Sequence, residues 1–538
     1  MFSTLLQSVY SYFWLLPLTG VAYFGVSALL PGKKHANFPS VGSWDGLIPA
    51  FIHNVIFALS AASLLKRGHE KLISNNEAII ILPHALLKEL AGLPVTVASP
   101  QRALERDLLG QYTGVSLLVE SQLHHSIMQR RLTPRIPLLI PRIERTVARA
   151  FEKHFPNADE WVEIQPSKIL GPILAKVAAE ALVGPEFSHD PTWVDISTHY
   201  TEAVSYFGAG LTLALVPEVF ATAAALRILP TWMQEAVAPL LPTLRAVRRY
   251  LAQAKRLLSP RISDLIKKND VSHHTDDSPD ETNMLAWLAG QAKGKDRDPD
   301  AIAQALVLLS LASVHTTLLR VVGVLYDVTA AGQDLRRELL DEIYMAAMAD
   351  GGWGPDSYGR LRKMDSVMRE SQRLSPPTVI GMKRVFVRAH TFADGTHVPA
   401  GAYACMAIHA IENDAAHTPD ADRFDGLRSF RTWEEEREKQ MAGKSKASAI
   451  NSSSGNPFLF ETPTPTSLNF GYGRTACPGR FFASHAIKMV LVKLFGDYEF
   501  RFLPGSGRPP NVMAHEFMFT SPDQKILVRR SRKALCPF

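Results

Sequence analysis

Three cysteines in 538 residues, Cys405, Cys477 and Cys536, are too few for a disulfide framework, and that count is compatible with a reducing compartment. Charge of one sign is also scarce. Fifty-eight Lys and Arg against 52 Asp and Glu leave a formal +6, which gives no reason to invoke nucleic acid, although a basic patch would still steer an acidic protein toward the surface. No internal repeat is visible. The first 32 residues contain no Asp, Glu, Lys or Arg. Within them Leu15 to Leu30 is mostly apolar, and Tyr10, Tyr12, Trp14 and Tyr23 suit a membrane interface. A span needs about 20 residues of this kind. Lys33 and Lys34 follow at once, which places the rest of the chain on the cytosolic side. A cleaved signal peptide is the competing reading, but it expects its positive charge before the apolar run. The expectation is a single-pass N-terminal anchor over residues 1–32, with the endoplasmic reticulum as the natural membrane for a eukaryotic chain. Leu47 to Leu65 is a second uncharged stretch that includes Pro49, His53 and Asn54. It reads as a helix on the membrane or in the core ahead of a second span.

With 46% apolar residues the chain can bury a large core. Residues 33–66 form a linker, and 67–538 read as one globular unit. Glu77 to Pro83 has the composition of a strand, and Ala85 to Leu90 that of a short helix. Helical patterning dominates from about 100 to 330, with helices expected from Pro141 to Phe155 and from Leu244 to Leu258. Residues 267–283 are polar and hold the run His273-His274-Thr275-Asp276-Asp277, a candidate metal site whose plainer reading is a solvated loop. Residues 375–408 carry β-type content with turns at Ala393-Asp394-Gly395 and Pro399-Ala400-Gly401. Residues 433–465 are charged and then rich in Ser, Asn and Pro, as in a surface insertion. Asn451-Ser452-Ser453 matches a glycosylation acceptor that a cytosolic placement would leave unmodified. The expected fold class is mainly α with a smaller β region (α+β).

The most informative stretch is Phe470-Gly471-Tyr472-Gly473-Arg474-Thr475-Ala476-Cys477-Pro478-Gly479-Arg480-Phe481-Phe482-Ala483. Its glycines allow tight turns and close approach. Pro478 suits the first turn of a helix, and a helix N-terminus stabilises a thiolate. A buried structural cysteine is the plainer alternative. The pattern resembles the heme-binding loop of the cytochrome P450 family, Phe-x-x-Gly-x-Arg-x-Cys-x-Gly, with Phe470, Gly473, Cys477 and Gly479 in register. Thr475 stands where the family usually has Arg or His, and Arg474 comes one residue early. The resemblance implies a helical P450-like fold, heme b held by the Cys477 thiolate, and Thr475 beside a propionate.

Three further segments extend the resemblance from about residue 40 to the C-terminus. Ala312-Ser313-Val314-His315-Thr316-Thr317 lies in the middle of the apolar run Ala301 to Ala330, where hydroxyls are expected to bond back to carbonyls and bend the helix. It resembles the family's Ala-Gly-x-Asp/Glu-Thr-Thr, with Ser313 for Gly and His315 for the acid. The resemblance gives Thr316 a proton-relay role, leaves a part for His315 open, and is similar to a branch common in fungal terpenoid and alkaloid pathways. Glu370 and Arg373 match Glu-x-x-Arg, and Arg428 falls in register with the arginine of Phe-x-Pro-x-Arg, Gly426 replacing its proline. Together these three imply a buried charge network that holds the core on the heme side. Arg384 matches a propionate-binding arginine, and His124 and Arg130 are further candidates from His124-His125-Ser126-Ile127-Met128-Gln129-Arg130-Arg131.

The function implied is a monooxygenase that inserts oxygen from O2 into a hydrophobic small molecule, a terpenoid or prenylated alkaloid. Electrons would come from NADPH-cytochrome P450 reductase, with cytochrome b5 as a further donor, and no nucleic acid is involved. Two alternatives keep the heme: an isomerase or dehydratase acting on a peroxide, against which Thr316 argues, and a sensor without turnover, which would leave the segment from Ala312 to Thr317 without purpose.

Overall fold

Apolar residues recur at helical spacing over most of the chain, and long helices follow from that. The computed structural model describes residues 72–538 apart from 75–76, 200–202, 208–210, 217–221, 224–225, 228–230, 272–281, 350, 443–455 and 515. The expected anchor at 1–32, the apolar stretch at 47–65, the His273–Asp277 run and Asn451 all lie outside the described residues. The helices that position the site are α1 (Leu87–Gly92), α2 (Pro100–Asp107), α3 (Thr133–His154), α4 (Pro166–Leu182), α5 (Pro242–Val271), α6 (Pro299–Ala331), α7 (Gln333–Met348), α8 (Arg362–Leu374) and α9 (Arg480–Asp497).

α6 is the central element, and its ends are written in the sequence. The Asp298 carboxylate accepts the Asp300 N–H at 3.0 Å, Pro299 takes the first position, and Gly332 ends the helix at φ +94°. Its most apolar 18-residue window has a mean hydropathy of 1.8 and is 72% buried, so its apolar length serves the protein core. α4, α5, α8 and α9 pack around it. Fully buried Trp193, Tyr326, Tyr358 and Phe151 fill the core, and removing a side chain such as Phe151 from water is worth about 1.5–3 kcal/mol.

α3 begins at Thr133, eight residues ahead of the start expected at Pro141, which lies inside the helix together with Pro137. A π turn at Met128–Leu132 runs directly into Thr133, so Pro141 marks no boundary. α5 likewise extends beyond the expected Leu244 to Leu258 at both ends. The charged part of the expected insertion is the helix Arg428–Met441, which buries none of its residues.

The larger sheet has the strand order β1-β2-β6-β5-β3, with β1 Leu72–Ser74, β2 Glu77–Ile81, β3 Ala98–Ser99, β5 Gly381–Phe386 and β6 Tyr403–Met406. β2 and β6 run parallel with Tyr403 opposite Ile79, and the other pairs are antiparallel, with Ala404 opposite Arg384. A second sheet joins β4 (Val162–Ile164) and β7 (Tyr498–Phe502) to the two edges of β10 (Ile526–Arg530). β8 (Val512–Ala514) and β9 (Phe517–Phe519) form a hairpin with Ala514 opposite Phe517.

Candidate active site

The cysteine loop is built from its own backbone. Cys477 N–H donates to Phe470 O at 2.7 Å, Gly471 N–H to Leu468 O at 2.7 Å and Ala476 N–H to Gly473 O at 3.1 Å. Gly471 and Gly473 sit at φ +73° and +67°, the left-handed region that glycine enters without strain. A Cβ on Gly473 would also come within 3.2 Å of Ala91 on α1. Gly479 differs: its φ is an ordinary −86°, and a Cβ there would lie 2.9 Å from the terminal methyl of Met128, a flexible side chain that can give way. Upstream, the Glu412 carboxylate accepts the Leu468 and Asn469 N–H groups at 2.5 and 3.1 Å, which fixes the chain just before Phe470. The Phe470 ring stands edge-on to Phe460 at 5.1 Å between centroids.

Burial pushes the Cys477 thiol up from its ordinary range, while the Gly479 and Arg480 N–H groups at the start of α9 and the Arg480 side chain pull it down. Although the sulfur lies deep in the protein body, Cys477 retains accessible surface. The other two cysteines differ. Cys405 is fully buried in β6, and burial pushes Cys536 near the C-terminus up to about 11.

In α6, accessible surface also appears inside the core. Between Leu306 and Leu325 the exposed residues are Ala312 and Thr316, one turn apart on one face. The hydroxyls bond back as expected: Thr316 Oγ1 donates to Ala312 O at 2.7 Å, Thr317 Oγ1 to Ser313 O at 2.7 Å and Ser313 Oγ to Leu309 O at 2.8 Å. The helix nevertheless continues unbroken through them. His315 is buried, its ring 5.9 Å from that of Phe519, and burial lowers its pKa to about 4. The imidazole is therefore neutral at neutral pH.

Arg384 is 4% exposed and donates to Thr475 Oγ1 at 2.6 Å and to Lys383 O at 2.8 Å. Among the described residues it has no carboxylate at ion-pair distance, and burial lowers its pKa to about 10. Arg474 turns away and donates to Gly92 O at 2.7 Å, at the C-terminal end of α1. Arg130 is exposed in the π turn, while His124 is largely buried, with its pKa lowered to about 4 by burial and by His125. Glu370, Arg373 and Arg428 are brought together. The Glu370 carboxylate takes Arg373 through both oxygens at 2.7 and 2.9 Å and Arg428 Nε at 3.3 Å. Arg373 further donates to Asn413 and to Ala421 O.

The sequence reading missed several buried polar groups. Arg320, one turn past Thr316, is 4% exposed and hydrogen-bonds Ser371 and Ser375. Lys383 bridges Asp107 and Glu516 at 2.8 and 3.1 Å. An arginine inside an apolar helical run is a visible signal, whereas the partners of Lys383, more than a hundred residues away along the chain in each direction, leave none.

These residues fit a heme: a sulfur addressed by helix N–H groups, an accessible patch on an otherwise buried helix, and a buried cation suited to a propionate. That combination defines the class of heme-thiolate proteins. A model of the cytochrome P450 family matches residues 220–529. The chain is 31% identical to cytochrome P450 monooxygenase AN1598 of Emericella nidulans over 96% of its length and 92% of that protein. It is 30% identical to cytochrome P450 monooxygenase AtmP of Aspergillus flavus, covering 93% and 90% of the two chains. It is 28% identical to an ent-kaurene oxidase of Fusarium fujikuroi, again over 93% and 90%. The chain belongs to the cytochrome P450 family. It is a monooxygenase of that family, whose cofactor is heme with an axial cysteine thiolate.

Proposed function

We propose that the protein is an anchored monooxygenase that oxidises a terpenoid or prenylated alkaloid of fungal secondary metabolism, with electrons from NADPH-cytochrome P450 reductase and cytochrome b5 as a further donor. The observation that carries the reading is the pairing of an accessible Cys477 at the start of α9 with an accessible Thr316 on α6, which packs against α9. When bound, heme supplies oxygen activation, with the thiolate favouring O–O cleavage. Cys477 would ligate the iron in this reading, with Phe470 shielding the sulfur and Gly473 and Gly479 shaping the loop. Arg384, oriented by Thr475, neutralises a propionate, and Arg130 is a candidate for a second. Thr316 moves protons, and neutral His315 beside it exchanges hydrogen bonds without adding charge. Glu370, Arg373 and Arg428 hold the surrounding core. The substrate class is supported by relatives that include ent-kaurene oxidases, ent-kaurene being a diterpene hydrocarbon. Residues 1–32 place the enzyme on the endoplasmic reticulum membrane.

The test is expression with the reductase, feeding of terpenoids and prenylated alkaloids, and mass spectrometry of the products. A gain of one oxygen atom on a member of either class is expected. An enzyme that shows the thiolate-heme carbon-monoxide band yet oxidises fatty acids and no isoprenoid would overturn the substrate class.

A further inference from the structure

We propose that Glu412 is the positioning residue of the cysteine loop: together with Asn413 it ties that loop to the Glu370–Arg373–Arg428 network and holds the Cys477 sulfur where an iron would take it. The inference rests on the heme-thiolate reading and deepens it. Glu412 is the last residue of the short helix Ile408–Glu412, which follows β6, and it is 2% exposed. A carboxylate buried that deeply needs donors to offset its lost hydration. They come from the loop. Oε1 accepts the Leu468 and Asn469 N–H groups at 2.5 and 3.1 Å, and Oε2 accepts Asn469 Nδ2 at 2.8 Å.

From there to the sulfur the path is backbone. Leu468 O accepts the Gly471 N–H and Phe470 O accepts the Cys477 N–H, each at 2.7 Å. A shift of Leu468 or Asn469 therefore moves both the acceptor of the Cys477 N–H and the turn that presents the sulfur.

Asn413, the next residue, serves the other side. Successive side chains on a helix point about 100° apart, so neighbours at its end reach different partners. Asn413 Oδ1 accepts from Arg373, and Asn413 Nδ2 donates to Arg373 O at 3.2 Å and His409 O at 2.7 Å. Arg369, one turn before Arg373 on α8, donates to Leu459 O at 2.8 Å and Thr462 O at 3.2 Å, on the approach to the loop. Arg369 and Arg373 on α8 and Arg320 on α6 are the cations that act on Glu412. Burial pushes its pKa up to about 7 against the pull of the two N–H groups and of Arg369 and Arg373. Both protonation states are populated at neutral pH, and Oε1 accepts the two backbone N–H groups in either. What the loop requires is an oxygen at that place, more than a charge.

Ferrous carbon-monoxide spectra of the full-length holoenzyme test this, because the band reports whether the thiolate is bound. Glu412→Asp leaves the carboxylate one methylene short, and Glu412→Ala removes the acceptors. In each, the thiolate-type band should give way to the blue-shifted band of a heme without its thiolate about tenfold faster than in wild type, the worth of one hydrogen bond to a carboxylate. Glu412→Gln should decay as wild type does. Its Oε1 keeps both N–H groups, and a flip of the Asn469 amide, whose Oδ1 is buried without a partner among the described residues, gives its Nε2 an acceptor. Glu180→Ala controls for stability alone. Glu180 is 1% exposed on α4 and takes Arg142, Thr146 and Ser188, so its loss should lower the denaturant midpoint while the band decays at the wild-type rate. Wild-type decay in the Asp and Ala variants, decay of Glu412→Gln as fast as Glu412→Ala, or equally fast decay in Glu180→Ala would each overturn the proposal. Should Glu412→Ala fail to fold, the Asp and Gln variants decide. A wild-type protein that takes up no heme, or shows no thiolate-type band, refutes the underlying heme-thiolate reading, which is a separate outcome.

Discussion

Thr316 donates its proton to Ala312 O at 2.7 Å, which leaves the hydroxyl oxygen free to accept on the accessible face of α6. Such a group can take a proton from one neighbour while passing its own along. Thr316→Ala should bind substrate normally but divert reducing equivalents to hydrogen peroxide. NADPH consumed against product formed measures this, and unchanged coupling would remove Thr316 from the relay. His315 differs from its neighbour in kind. Burial holds its pKa near 4, below the ordinary 6.5, so the unfolded chain binds the extra proton first as pH falls. Its contribution to stability is full above about pH 6.5 and is lost as pH drops toward 4, up to about 3 kcal/mol. His315→Gln should therefore flatten the fall in denaturant midpoint over that window relative to wild type, and two parallel curves would show that other groups carry it. At Arg384 the geometry depends on a single hydroxyl, Thr475 Oγ1. Thr475→Val would leave the buried guanidinium with Lys383 O alone, and heme retention on dilution should fall several-fold by absorbance.

At the scale of elements, α8 shows how spacing becomes a network. Glu370 and Arg373 are i,i+3 on one face, with side chains 4% and 8% exposed, and Arg428 closes the group from the start of its own helix. Removing the carboxylate strands the buried Arg373 cation and takes a partner from the half-buried Arg428. Glu370→Ala should cost about 3–5 kcal/mol and lower heme content, read by chemical denaturation and absorbance. The i,i+3 pair Glu436–Lys439 has the same spacing at the surface, with Lys439 exposed and Glu436 half-buried, and Lys439→Ala should leave the midpoint nearly unchanged. The two pairs explain what was legible. Glu370, Arg373 and Arg428 were legible through their resemblance to two short family patterns, Glu-x-x-Arg and Phe-x-Pro-x-Arg, the i,i+3 spacing alone being an ordinary one. Asn413 and Ala421 O, which complete the Arg373 site from 40 and 48 residues away, and the Lys383 bridge to Asp107, 276 residues away, are products of folding that no local spacing encodes. Arg474, noted in sequence as one residue early, finds its partner in the same non-local way. It sits one residue from the family position and is captured by the carbonyl end of α1, while the proposed propionate site rests on Arg384, which Thr475 hydrogen-bonds. The start of α3 was misread because a proline signals a helix boundary only when nothing helical precedes it, and here a π turn does.

For the molecule as a whole, the proposed membrane attachment needs a segment able to make it. α6 has the length and apolarity of a span but is core, surrounded by α4, α5, α8 and α9. The proposed anchor falls instead on 1–32, with 47–65 as a second uncharged stretch, and both lie outside the described residues. Leu15 to Leu30, with its aromatic flank, approaches the roughly 20 residues a bilayer core requires, and Lys33-Lys34 would stop it on the cytosolic side. Leu47 to Leu65 is long enough too, but Pro49, His53 and Asn54 interrupt it with a lost backbone donor and two polar side chains near one end. Embedding those groups in hydrocarbon is costly, while a helix lying at the interface keeps them wet. Deleting residues 1–32 should thus move most of the protein from a salt-washed membrane pellet to the supernatant, since interfacial binding is reversible where a span is not. High salt distinguishes the remaining contact: what stays bound through basic residues is released, whereas a second span keeps the truncated protein in the pellet until detergent is added. A truncated protein that needs detergent would reassign the anchor to 47–65, and with two spans in the full chain the positive-inside argument from Lys33-Lys34 would have to be made again from the loop between them.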